Sequence, residues 1–171
     1  MGSTLGKQAE NQIKQWLNRP ELGYSFDRIP DQMTGFYGSR NICDFICYKY
    51  PNLFYIESKA TYEYRFDFSM ISDYQYENLL IKSNIDGCYG LVIILFAIEQ
   101  RCILLDINTI KSIIDTGKKS INITKSDNWR FPYAEIETIP NTRKHYLDYR
   151  GDLLEYINKC KFERRNSICI K

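Results

Sequence analysis

Apolar residues in this chain recur first at helical spacing and then at strand spacing. Leu5, Ala9, Ile13 and Trp16 form one stripe of a helix over residues 3–18, which Ser3 or Thr4 can cap and Pro20 closes. Residues 24–29 follow as a first strand, and residues 30–40, PDQMTGFYGSR, as a loop. Residues 41–59, NICDFICYKYPNLFYIESK, read as two short strands about a turn at 48–52, where Pro51 and Asn52 are turn formers flanked by Ile, Phe, Tyr and Cys. Tyr62, Tyr64, Phe66 and Phe68 alternate with Glu63, Arg65 and Asp67. That alternation predicts a half-buried continuation of the strand, with stacking on nucleic-acid bases as the alternative use of those rings. A second helix is predicted from Ser69 or Ser72 to about Ile85, with Ile71, Tyr74, Ile81 and Ile85 on its apolar face, Gln75 on its flank, and Gly87 and Gly90 ending it. Residues 91–98 and 101–107 read as two buried strands around Glu99-Gln100, which is not a favoured hairpin pair and so predicts a wider loop. Residues 108–115 form a short helix ended by Gly117, residues 118–145 short strands and loops punctuated by Pro132 and Pro140, and residues 152–159 a last short helix.

Composition narrows the class. A chain of 171 residues, 44% hydrophobic and 26% charged, suits one soluble globular domain with a single core, and it contains no repeat, low-complexity tract or linker. The net charge of +2 confines any polyanion binding to local patches. Residues 159–171 supply one such patch, a tail with five basic residues and one acid. Arg130, Arg143 and Lys144 are scattered cations, and His145, the single histidine, has no partner visible in sequence and reads as structural. The apolar run 91–98 is too short to span a bilayer and no secretory leader is evident, so a cytoplasmic protein without membrane partners is expected. The six cysteines (43, 47, 88, 102, 160 and 169) lack CxxC spacing and are expected to be reduced, largely buried thiols rather than zinc ligands. Plentiful Ile, Asn, Lys and Tyr fit an AT-rich genome, as in low-GC bacteria and their phages.

The candidate chemistry lies in residues 41–59. Asp44 is the lone acid of the first strand of the pair, and Glu57 and Lys59 close the second. Side chains two apart on a strand share a face, so Glu57 and Lys59 project together while Ser58 points away. Antiparallel pairing can bring Asp44 to that face, in a register the sequence does not fix. Two readings follow from spacing alone. The charges are solvated on an exposed face, or they converge on a divalent cation, with the carboxylates as hard oxygen ligands and the lysine orienting water. Glu10 lies at the border of the first helix's apolar stripe, near enough to reach such a site, or is an ordinary solvated acid.

Asp44 with Glu57-Ser58-Lys59 resembles the PD-(D/E)XK nuclease core, without the proline that often precedes the acid. Over roughly residues 4–155 the chain resembles the RecU-type Holliday-junction resolvases of low-GC bacteria and their phages. The resemblance is carried by Gly6-Lys7-Gln8-Ala9-Glu10, Asp44, the ExK element thirteen residues later, Gln75, the paired strands of GCYGLVIILFAIEQRCILLDI, and the segments KSINI and WRFPYAEI. It implies an α/β, restriction-endonuclease-like fold with a central mixed β-sheet flanked by helices, as one nuclease domain over residues 1–158 followed by the basic tail. It further implies a homodimeric, Mg²⁺-dependent endonuclease, with Mn²⁺ able to substitute, that nicks opposed strands of four-way junctions in recombination and repair. Asp44, Glu57 and the backbone carbonyl of Ser58 hold the metal in that reading, with Glu10 nearby or in the outer shell. Lys59 positions the attacking water, and Gln75 supports the site or a phosphate. Apart from the resemblance, Arg40 and the basic tail residues Lys161, Arg164 and Arg165 are expected to contact DNA. Two departures stand out: Cys43 occupies the place of a threonine common before the acid, and the region over residues 29–41, where relatives carry a junction-entering stalk, is short. The other readings are a PD-(D/E)XK nuclease acting on linear duplex or flaps, and a non-catalytic DNA-binding or interaction protein of the same fold. The retained Asp-Glu-Lys set argues against the latter. A small-molecule enzyme has no phosphate-cradling glycine loop or nucleophile constellation behind it.

Overall fold

A computed structural model describes residues 4–30, 40–140 and 147–159 of the chain. Helix α1 (Thr4–Leu17) leads through a 3-10 turn into strand β1 (Ser25–Arg28), and the hairpin follows as β2 (Phe45–Lys49) and β3 (Asn52–Thr61). Then come β4 (Arg65–Asp67), α2 (Asp73–Ser83), β5 (Cys88–Phe96), β6 (Arg101–Asp106) and α3 (Ile107–Asp115). The short strands β7 (Ser120–Asn122), β8 (Ala134–Ile136), β9 (Thr138–Pro140) and β10 (Leu147–Tyr149) precede a helical segment at 153–159. Six strands form one sheet in the order β1-β2-β3-β5-β6-β8. Within it β3 and β5 run parallel and the other neighbours antiparallel, so the sheet is mixed, as expected. The parallel pair needs a crossover, and the segment carrying β4 and α2 provides it.

Alternation along β5 divides the core. Leu91, Ile93 and Leu95 face the layer of α1 and the 153–159 segment, while Val92, Ile94 and Phe96 face α2 and α3. The predicted stripe of α1 is wholly buried: Leu5, Ala9, Ile13 and Trp16 pack on Phe45, Phe54 and Ile56. Trp16 also donates its indole N–H to the Gly151 carbonyl at 2.9 Å and meets Tyr149 and Tyr156 edge-on, which ties the last helix to the first. On the other side, α2 approaches β5 so closely that a Cβ on Gly90 would stand 2.7 Å from the Leu79 carbonyl oxygen. The loop between β5 and β6 spans residues 97–100, wider than two residues as expected, with Gln100 at φ 51°.

Two expectations are corrected. Residues 62–68 do not continue β3. The strand ends at Thr61, whose Oγ1 accepts the Glu63 N–H at 2.9 Å, and the chain turns before β4 pairs with β7. Phe66 and Phe68 are therefore buried, while Tyr62 and Tyr64 are exposed. The apolar face of α2 is also not the one predicted. Tyr76, Leu79 and Leu80 pack inward, Tyr74 and Ile81 lie outward and exposed, and Ile85, also exposed, lies past the end of the helix. The inward set is spaced i, i+3, i+4, and positions 74 and 81 fall on the opposite side of a helix of about 3.6 residues per turn. Ile71 is buried, but ahead of the helix. Cys43, Cys47 and Cys102 are buried free thiols, Cys88 is half-buried, and Cys160 and Cys169 lie outside the described residues, as do Arg143, Lys144 and His145. Among the described residues no helix is long and apolar enough to cross a membrane.

Candidate active site

The β2–β3 register pairs Phe45 with Ile56, which sets Asp44 just beyond the end of β2, next to Glu57. Asp44 N–H donates to the carbonyl of Ile56, the residue that already faces Phe45, at 3.1 Å. Two consecutive residues thus meet one on the partner strand, and a strand kinks where that happens. The Asp44 carboxylate takes over the ladder there, its Oδ2 accepting the Ser58 N–H at 2.7 Å. Cys43, beside it, is fully buried and donates its thiol to the Phe45 carbonyl at 3.2 Å. Burial pushes that thiol up to about 12, with the Glu57 and Asp44 charges adding to the effect, so it is a neutral packing group.

Strand β3 then delivers Glu57 and Lys59 to the α2 face. Glu57 is 1% exposed, an extreme for an acid, and its Oε1 accepts two donors, Lys59 Nζ at 2.6 Å and Gln75 Nε2 at 2.7 Å. Its Oε2 is buried with no hydrogen-bond partner. Burial, then the nearby Asp44 charge, raises Glu57 to about 7, against the pull of Lys59 and Gln75. Burial also raises Asp44, and Glu10 adds to this, while the Ser58 N–H, Lys59 and Arg28 act to lower it. Ser58 points to the other face and leaves its Oγ buried and unpartnered.

The remaining candidates stand at varying distance from this centre. Gln75 belongs to it directly, at the first turn of α2, where it also completes a capping box with Ser72. Glu10 is held on α1 in an ion pair with Arg28 at 2.7 Å, so it touches the centre through its field on Asp44. Arg40 is exposed, next to Asn41, which donates to the Pro30 carbonyl at 2.8 Å, and it is not brought into the carboxylate cluster. Lys161, Arg164 and Arg165 lie outside the described residues. Arg130 is exposed on the rim of a cavity of 230 Å³ near the end of α3. Arg28 and Ser72 are site residues that periodicity does not mark. The signal for Arg28 was its place at the end of β1, one strand from the acid.

The donor set fits a small hard cation. Asp44 and Glu57 are adjacent carboxylates held above their ordinary range by burial, and one oxygen of Glu57 has no protein donor. Among the described residues no three His, Cys, Asp or Glu side chains gather at one point. Two carboxylates completed by backbone carbonyl and water suit Mg²⁺, which keeps several waters, better than the many-oxygen cage of Ca²⁺.

No family model and no curated protein matches the chain. Among solved structures it is similar to Hjc, a Holliday junction resolvase from the archaeal hyperthermophile Archaeoglobus fulgidus, at 17% identity over 70% of this chain and 89% of that chain, with a TM-score of 0.49.

Proposed function

We propose that this chain is a Mg²⁺-dependent endonuclease of the PD-(D/E)XK kind that nicks four-way DNA junctions as a homodimer, in the manner of the RecU-type resolvases its sequence resembles. The observation that carries the reading is the Asp44–Glu57–Lys59 cluster with its unpartnered, buried Glu57 Oε2. Asp44, Glu57 and the Ser58 carbonyl hold the cation, Mg²⁺ or in its place Mn²⁺. Glu10, engaged by Arg28, acts from the outer shell. When bound, the cation supplies Lewis-acid stabilisation of phosphate charge and a more acidic water. Lys59 Nζ, held on Glu57 Oε1, would orient water and offset charge on the scissile phosphate, while Glu57 Oε2 is the oxygen left for the cation. Gln75 keeps a donor on Glu57 throughout. Arg40, Lys161, Arg164 and Arg165 bind backbone phosphates and position the duplex arms without reading sequence. Residues 1–158 form the nuclease domain, residues 159–171 the DNA-binding tail, and the protein works in the cytoplasm.

The test is incubation with a synthetic four-way junction, a linear duplex and a flap, with Mg²⁺, Mn²⁺ or Ca²⁺. Paired nicks in the junction with Mg²⁺ and Mn²⁺, and binding with little turnover in Ca²⁺, support the reading. Equal rates on junction and linear duplex assign a nuclease of different substrate range. Binding without cutting under any cation assigns a non-catalytic DNA-binding protein.

A further inference from the structure

We infer that Ser72 is a positioning residue of the site, acting through Gln75 on Glu57. The inference rests on the nuclease reading only for its effect on turnover. Ser72 caps α2 from an extended conformation, φ −64° and ψ 151°, and its Oγ accepts the Gln75 N–H at 3.3 Å. The Gln75 side chain folds back, and its Oε1 accepts the Ser72 N–H at 3.2 Å and the Ser72 hydroxyl at 3.2 Å. Lys59 Nζ reaches the same oxygen at 3.5 Å. An amide end ringed by donors has to be its oxygen, because the NH₂ end would place donors against donors. The NH₂ is thereby aimed at Glu57 Oε1, 2.7 Å away. That oxygen, shared with Lys59, is saturated, and Oε2 is left as the open one. One glutamine thus both closes the helix cap and fixes which oxygen of a buried carboxylate stays available.

Capping alone and positioning make different demands on residue 72. A cap needs only an acceptor for the Gln75 N–H, which Ser, Thr and Asp all provide. Positioning also needs a donor toward Gln75 Oε1, which a hydroxyl provides and a carboxylate does not. Ser72 is exposed, so a larger side chain fits.

The experiment compares wild type with Ser72→Thr and Ser72→Asp by thermal melting, by the ¹⁵N–¹H signals of the Gln75 side-chain amide, and by nicking kinetics with Mg²⁺. Ser72→Asp should melt like wild type, yet shift the Gln75 amide signals and lower kcat about tenfold, the size usual for a group supporting a ligand, at unchanged KM. Ser72→Thr should rescue both the signals and kcat. Wild-type amide signals and kcat in Ser72→Asp would overturn the inference and leave Ser72 a helix cap. If wild type cuts no DNA substrate, the nuclease reading falls, and the Gln75 amide signals in Ser72→Asp still decide the inference.

Discussion

At the scale of single residues, the site depends on the burial of Glu57. An acid 1% exposed beside a second carboxylate is held up at about 7 by desolvation first and the Asp44 charge second, although Lys59 and Gln75 both donate to it. Between its ordinary value of 4.5 and about 7, the folded protein retains a proton that the unfolded chain has released. Stability therefore falls as pH rises through that window and levels off above it. In divalent-free buffer, thermal melting should show this decline. Glu57→Gln should make it shallower, leaving the smaller contribution of the likewise raised Asp44. Mg²⁺ added at pH 7.5 should raise the wild-type melting temperature, because a ligand of the folded state alone stabilises it. An unchanged pH slope in Glu57→Gln would remove the buried-carboxylate account. The residue pattern was largely legible in sequence here. Period two put Glu57 and Lys59 together, and antiparallel pairing about Pro51-Asn52 allowed Asp44 on their face without fixing the register, which the structure supplies. What could not be read was the kink at Asp44, since a strand's alternation does not reveal where its pairing slips, and the Glu10–Arg28 ion pair, which joins two elements at a distance in sequence.

At the scale of elements, the site is held by the crossover that packs α2 on β5. Gly90 makes that approach possible. An added Cβ would meet the Leu79 carbonyl oxygen at 2.7 Å, Ser83 Oγ at 2.8 Å and Ile107 Cγ2 at 3.0 Å, and Gly90 N–H donates to Ser83 Oγ at 2.7 Å. Because one of these neighbours is backbone, Gly90→Ala must move α2, at a cost of roughly 1–3 kcal/mol. Urea unfolding should show that loss, and nicking should slow as Gln75 shifts with its helix. Full stability in Gly90→Ala would contradict the packing described. On the opposite layer, Trp16→Ala should cost about 3–5 kcal/mol by the same measurement, since it empties a buried site and strips the Gly151 carbonyl of its donor. The two helices also explain why one apolar face was readable and the other not. The stripe of α1 is its only apolar stripe. In α2 both sides carry large apolar residues, Tyr76, Leu79 and Leu80 inward and Tyr74 and Ile81 outward, so periodicity alone had two answers.

At the scale of the whole molecule, the mixed sheet flanked by helices was expected from the resemblance of the chain, whereas the strand order and the assembly are written in no periodicity. On the proposed reading, cutting two symmetric strands in one complex calls for a two-fold dimer, and of the segment 62–68 only Tyr62 and Tyr64 are exposed enough to serve it, since Phe66 and Phe68 are buried. Sedimentation should give a dimer at working concentration; a monomer that resolves junctions by paired nicks would refute that requirement. Truncation after Lys159 removes Lys161, Arg164 and Arg165 and should flatten the dependence of log affinity on log salt without changing sequence preference. An unchanged slope would assign the tail another role. The most direct measurement is nicking of a four-way junction by wild type and Asp44→Asn, each with Mg²⁺ and with excess EDTA, alongside binding of the same DNA. The metal mechanism predicts cutting by wild type with Mg²⁺ alone, and binding without cutting by Asp44→Asn. Wild-type cutting in excess EDTA, or undiminished cutting by Asp44→Asn, would contradict it.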